Sequence, residues 1–192
     1  MKKYILLVLC VCAFAVLGLT RSEPRVLGRT AILGNLPDDP QKGAGVYKIK
    51  SFADVDSTKE KGACVGFNEG RREGVYLDHC YQGQIVYVTL IPAGRGTYYI
   101  RNGDVTGPPS GRCFDSDSSR DDDTLLALAC NGTNYQRWIL RSRGGTYEIK
   151  NVASGQCLDR NSEDPGYNSR VHLVGCNESM WQQWWLEYER RN

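Results

Sequence analysis

Histidine is scarce in this 192-residue chain, which carries only His79 and His172. No G-x-S-x-G elbow, H-E-x-x-H pair or recognisable nucleophile–base spacing accompanies them, so the common hydrolase and metalloprotease chemistries have no residues to run on. A zinc centre is excluded on spacing, because there is no C-x-x-C and the two histidines form no ligand cluster. The expectation is a protein that is not an enzyme and needs no cofactor. An excess of one charge is missing too: 24 Lys and Arg face 22 Asp and Glu, a net of +2. Basic clusters are limited to Arg71-Arg72 and Arg190-Arg191, and neither makes the stripe that phosphate binding requires, which argues against nucleic acid as a partner. Long apolar runs are lacking except for Ile5–Leu19. That run falls short of the ~20 residues of a membrane span. Preceded by Lys2 and Lys3, it reads as a secretory signal peptide, residues 1–20, with cleavage between 18 and 22. The expected mature protein is secreted, has no membrane span, and has a net charge near zero.

What is present in quantity is repetition. Gly145-Thr146-Tyr147-Glu148-Ile149-Lys150-Asn151 opens a segment that runs through Cys157-Leu158-Asp159 and Cys176-Asn177 to Trp181-Gln182-Gln183-Trp184. The same landmarks occur upstream in the same order: Gly96-Thr97-Tyr98-Tyr99-Ile100-Arg101-Asn102, Cys113-Phe114-Asp115, Cys130-Asn131 and Tyr135-Gln136-Arg137-Trp138. A fainter copy begins at Gly45-Val46-Tyr47-Lys48-Ile49-Lys50 and passes Cys64 and Cys80. A repeat of this period dictates the fold before any local element does. It also organises the cysteines. Loss of the signal peptide removes Cys10 and Cys12, and the remainder fall one pair to a copy. In an oxidising compartment the simplest pairing is therefore Cys64–Cys80, Cys113–Cys130 and Cys157–Cys176.

Residues 21–44 form a leader rich in Pro, Gly and Ala, broken by Pro37-Asp38-Asp39-Pro40, and read as an N-terminal arm. From Gly45 onward apolar residues alternate with polar ones over short runs, as in Tyr47/Ile49, Val86/Val88/Leu90, Tyr98/Ile100, Tyr147/Ile149 and Val171/Leu173. Alternation punctuated by Gly, Pro, Asn and Asp predicts β-strands, and no helical stripe of useful length competes. Three such units, at about 45–91, 96–140 and 145–188 within a domain spanning 45–192, predict an all-β, closed, threefold barrel-like architecture. Tyr98, Tyr147, Ile100 and Ile149 are the expected barrel lining.

Two Q-x-W motifs, Gln136-Arg137-Trp138 and Gln182-Gln183-Trp184, each close a repeat, and Cys113-Phe114-Asp115 and Cys157-Leu158-Asp159 supply a C-x-D. With the G-x-Y-x-I openings, these residues resemble the ricin B-type lectin domain over roughly Gly45 to Tyr188, strongly in the second and third repeats and weakly in the first. The resemblance implies a β-trefoil and a secreted carbohydrate-binding protein whose partners are glycans or glycoproteins. It also implies a pocket in which the C-x-D carboxylate accepts hydrogen bonds from sugar hydroxyls, with an aromatic wall and a polar rim around it. In the third repeat Asp159 matches the carboxylate, His172 the rim and Gln182 the residue that orients the carboxylate. Val174 stands where the aromatic wall is usual, and Trp181 replaces the asparagine that usually precedes the glutamine; Tyr167 or Trp181 is then left to supply the wall. The second repeat keeps Asp115 and Gln136 but has Leu126 and Leu128 at the rim and wall, so it is the weaker pocket. The first repeat has Gly66 in place of the aspartate, with Val86 and Val88 at the Q-x-W positions, and reads as structural.

The acidic loop Asp115–Asp123 lacks the glycine and glutamate that an EF-hand needs, and reads as a solvated loop, so no metal is expected. Asn131-Gly132-Thr133 and Asn177-Glu178-Ser179 are N-glycosylation acceptors for a cell with that machinery, or else plain polar turns. The competing functional class is a trefoil that binds protein through its loops, as a protease inhibitor or toxin-like ligand, with degenerate sugar pockets.

Overall fold

The alternating runs become strands because β-branched and aromatic residues at every second position can share one buried face. In the first of them Tyr47 and Ile49 are fully buried, and Lys48 between them reaches partly to solvent. The computed structural model describes residues 45–53, 62–67, 74–81, 86–103, 111–117, 125–163 and 166–189. The expected signal peptide and arm, the Arg71-Arg72 and Arg190-Arg191 pairs, and Asp121–Asp123 of the acidic loop lie outside the described residues.

Four strands fall in each copy of the sequence repeat. They are β1 (Gly45–Ser51), β2 (Ala63–Phe67), β3 (Val75–His79) and β4 (Tyr87–Gly94); β5 (Thr97–Asn102), β6 (Arg112–Asp115), β7 (Leu126–Ala129) and β8 (Arg137–Ser142); β9 (Tyr147–Asn151), β10 (Gln156–Asp159), β11 (His172–Gly175) and β12 (Trp184–Glu189). The outer strands of the repeats pair antiparallel in a closed ring, β1–β4–β5–β8–β9–β12 and back to β1. Closure leaves that barrel without an unpaired edge. The inner strands form three hairpins, β2–β3, β6–β7 and β10–β11. Each hairpin hangs from the barrel at its first cysteine, through the pairs Lys50–Cys64, Arg101–Cys113 and Lys150–Cys157.

The hairpins meet in a cyclic set of backbone hydrogen bonds. Val75 N–H donates to the Leu125 carbonyl at 3.2 Å, Leu125 to Val171 at 2.9 Å, and Val171 back to Val75 at 3.0 Å. All three residues are fully buried, so each bond satisfies groups that would otherwise be orphaned. This is the β-trefoil: a six-stranded barrel capped by a threefold set of hairpins.

The cysteines pair within repeats as expected, Cys64–Cys80, Cys113–Cys130 and Cys157–Cys176, with sequence separations of 16, 17 and 19. A loop of that size contributes on the order of 3 kcal/mol by restricting the unfolded chain. Trp138 and Trp184 are completely buried, and their indole N–H groups donate to equivalent carbonyls, Phe114 at 3.2 Å and Leu158 at 3.1 Å. Val88, at the matching position of the first repeat, is also buried. Tyr98, Ile100 and Ile149 line the core, whereas Tyr147 departs from expectation. It lies half-buried at the strand end opposite Ser142, outside the core cluster. On the opposite face of β9 the next residue, Glu148, is buried, held by Arg141 at 3.2 Å and Arg143 at 2.8 Å. The Glu148 carboxylate raises the Arg143 pKa above its ordinary value.

Candidate functional site

The second and third repeats each end in a short 3₁₀ turn, Asn134–Gln136 and Met180–Gln182, that buries its glutamine completely. Each glutamine then fastens the turn after the second cysteine. Gln136 Oε1 accepts from Asn131 N–H at 2.8 Å and its Nε2 donates to the Ala129 carbonyl at 2.8 Å. Gln182 does the same with Asn177 N–H at 2.8 Å and the Gly175 carbonyl at 3.0 Å. The repeats diverge in one bond. Gln136 Nε2 also donates to Asp115 Oδ2 at 2.8 Å, and Gln182 makes no such bond to Asp159. The expectation that Gln182 orients the Asp159 carboxylate is thus corrected: its amide is committed to the backbone of the turn.

An open cavity of about 420 Å³ lies at the second repeat, lined by Asp115, Asp117, Leu128, Ala129, Asn131, Thr133 and Tyr135. Asp115 is 1% exposed. Its carboxylate is fixed on both sides, Oδ2 by Gln136 and Oδ1 by the Asp117 N–H at 2.8 Å. Each oxygen keeps a lone pair for a further donor. Tyr135 is anchored by its carbonyl, which accepts from Ser116 N–H at 3.1 Å and Asn151 Nδ2 at 2.7 Å, while its side chain leaves the residue 45% exposed at the cavity. Leu128 adds apolar wall. A held carboxylate beside an aromatic and an aliphatic surface suits a ligand with hydroxyls on one edge and a C–H face on another. Sequence reasoning overlooked Tyr135 and Thr133 here. The available signal was positional, since Tyr135 precedes its Q-x-W as Trp181 precedes the other.

In the third repeat Asp159 and His172 stand directly opposite on β10 and β11, which puts their side chains on one face, with Val174 along the same face. Asp159 Oδ1 accepts from Asn161 N–H at 2.6 Å, and Asn161 Nδ2 lies 3.4 Å from His172 Nε2, so Asn161 ties the two together. Asn161 adopts a left-handed φ of 64°, a conformation that asparagine tolerates better than most residues. Trp181 is half-buried against Arg160, whose guanidinium lies 6.0 Å from its ring centroid. Tyr167 packs on His79 at 3.5 Å between ring centroids, in the first repeat. The third repeat therefore brings Asp159 and His172 together and commits Trp181 and Tyr167 to other partners. Among the described residues, the grouping with metal-ligand spacing is Glu148 with Cys157 and Cys176. Both sulfurs are in a disulfide and offer no thiolate. No helix among the described residues is long and apolar enough to cross a membrane.

The model of the ricin-type beta-trefoil lectin domain-like family matches residues 87–173 and 134–192, together more than half of the chain. The chain belongs to this family. No curated protein matches it. Among solved structures, this ricin-type trefoil is similar to ThreeFoil, a designed 3-fold symmetric protein, at 20% identity and a TM-score of 0.61, over 74% of this chain and 98% of that one. It is similar to a mosquitocidal holotoxin at 17% identity and a TM-score of 0.62, over 76% of this chain but only 17% of the toxin. The lectin of Polyporus squamosus, solved with the human-type influenza-binding epitope Neu5Aca2-6Galb1-4GlcNAc, matches at 20% identity and a TM-score of 0.57, over 75% of this chain and 49% of that one. At these identities the likeness is one of fold.

Proposed function

We propose that this trefoil is an exported, non-enzymatic lectin that takes a glycan in the second-repeat cavity, with Asp115 as the hydroxyl acceptor and Tyr135 as the aromatic face. The observation that carries the reading is the Gln136–Asp115 bond at 2.8 Å beside an open cavity. A carboxylate already held in position spends little ordering entropy on a ligand. Three disulfides and the family assignment support an extracellular setting and a glycan partner. The ranking reverses the one drawn from residue types, which puts the third repeat first. The third-repeat site, Asp159 with His172, remains the second reading, favoured by their direct opposition on β10 and β11 and by the absence, among the described residues, of a donor to Asp159 Oδ2. The protein-binding trefoil is the other class of function, and the same experiment separates it.

The purified chain is screened on a glycan array, and Asp115→Asn and Asp159→Asn are titrated against the best glycan, with melts as folding controls. Charge-assisted hydrogen bonds are worth about 1.5–3 kcal/mol each before desolvation. Asp115→Asn is expected to weaken binding at least about tenfold, or about 1.4 kcal/mol, and Asp159→Asn to do less. The reverse order hands the site to the third repeat. Binding that survives both substitutions moves it off these pockets, and an array with no hits favours the protein-binding class.

A further inference from the structure

Both N-x-S/T sequences fall at the same point of their repeats, directly after the second cysteine, but their surroundings differ. Asn131 and Thr133 line the second-repeat cavity, and both are exposed. Asn131 Oδ1 accepts from Thr133 N–H at 3.0 Å and from Thr133 Oγ1 at 2.8 Å. That closes an Asx turn through Gly132, whose φ of 75° is one a glycine adopts without strain. With Oδ1 engaged twice, Nδ2 is left over, and among the described residues nothing accepts from it. The turn is made by three consecutive residues and does not wait for the barrel to form. At Asn177 the arrangement is poorer. Its Oδ1 accepts from Ser179 N–H at 3.0 Å, but Ser179 Oγ is buried with no partner among the described residues, and Glu178 must hold a left-handed φ of 61°.

We propose that Asn131 is an N-glycosylation acceptor and that its glycan covers the second-repeat cavity, so that processing of this one side chain sets whether the site is open. The donor is a lipid-diphosphate-linked oligosaccharide. Asn131 Nδ2 forms a bond to its anomeric carbon and gives up a proton, while the bond from that carbon to the diphosphate oxygen breaks and the lipid diphosphate leaves. The product is a neutral N-linked glycan, bulky and confined to the surface. Attached to a residue of the cavity wall, its first sugar starts at the mouth and the sugars beyond it stand over Tyr135. The inference rests on the export and second-repeat readings above.

The test uses the full chain secreted from animal cells held to high-mannose glycans, in an Asn177→Gln background so that Asn131 is the sole acceptor. Peptide mass spectrometry reads occupancy of Asn131. Nitration of Tyr135 by tetranitromethane then compares the intact glycoprotein with the same material trimmed to a single sugar by an endoglycosidase, and Tyr81, exposed on the first repeat, serves as the internal reference. The expected result is an occupied Asn131, and Tyr135 nitration that rises severalfold on trimming while that of Tyr81 stays constant. A bare Asn131, or a glycan whose trimming leaves Tyr135 unchanged, overturns the proposal. Protection of Tyr135 with no hit on a glycan array, for the intact or the trimmed form, upholds the covered cavity and refutes the lectin reading alone.

Discussion

Gln136 and Gln182 do the same structural work in two repeats and different chemical work. Each is fully buried and makes a backbone bond on either side of its turn, but only Gln136 also donates to a carboxylate. Replacing either with leucine preserves much of the volume and removes the polar bonds. A buried group left without a partner costs about 1–3 kcal/mol, with charged acceptors at the upper end. Gln136→Leu is therefore expected to cost about 2–4 kcal/mol, and Gln182→Leu about 1 kcal/mol less, because one strands a carboxylate and the other does not. Denaturant midpoints at constant m-value measure both. Equal losses would show that the Asp115 bond adds nothing to the fold. The site was legible to this depth only in part. Residue types named Asp115, Gln136, Asp159 and His172, but the donor for each carboxylate differs between equivalent turns, which sequence spacing does not encode. The exposed Tyr135 ring was hidden for a related reason. Its placement follows from bonds to its own backbone carbonyl, which are indifferent to the side chain.

Among the elements, β1 and β12 carry the closure of the barrel, since they join the first and last repeats across six registered pairs. On the flank of this seam Lys48 Nζ lies 3.0 Å from Glu189 and Lys50 Nζ 3.8 Å from Glu187. Burial pulls the Lys48 pKa down, but the hydrogen bond and charge of Glu189, helped by Tyr87, outweigh it and hold the value above 10.5. A pKa raised by folding adds stability that is fully present below the unfolded value and is lost as pH climbs through the folded one. Lys48→Met is therefore expected to lower stability near neutral pH by about 0.5–1 kcal/mol, the scale of a partly exposed pair. The difference between wild type and variant should hold below about pH 10 and shrink as pH climbs beyond the lysine's unfolded value of about 10.4, where the ammonium of the wild type titrates. Both proteins carry Tyr87→Phe, which removes the hydroxyl that acts on Lys48. A difference that stays constant over that range would assign the loss to the lysine's aliphatic stem rather than to its charge. The strands themselves were readable because period-two alternation and the threefold repeat report on burial directly. Tyr147 escaped that logic because it sits at the strand end, and Glu148 because alternation assumes a buried side chain is apolar. The paired arginines make Glu148 the exception.

At the scale of the whole molecule, the threefold pattern is kept in the backbone bonds of the hairpins and broken in volume. The cyclic bonds among Val75, Leu125 and Val171 and the matched hairpin anchors treat the repeats alike. The core does not, since two repeats contribute Trp138 and Trp184 where the first contributes Val88. The first repeat returns aromatic volume elsewhere, through Tyr47, which is fully buried, and Phe67, whose ring lies 5.2 Å from that of Phe114. Val88 is itself fully buried in that packed cluster. Interiors at crystal-like density have no room for a ring in place of two methyl groups. Restoring the sequence symmetry with Val88→Trp is therefore expected to destabilise the protein, by about 1–3 kcal/mol or more, through strained rotamers and shifted backbone. The indole N–H would also need an acceptor at that depth, as Phe114 and Leu158 provide for the other two. Chemical denaturation of the variant against the wild type decides it. A variant as stable as the parent, or more so, would mean that the first repeat leaves space on the axis, and that its valine reflects something other than packing.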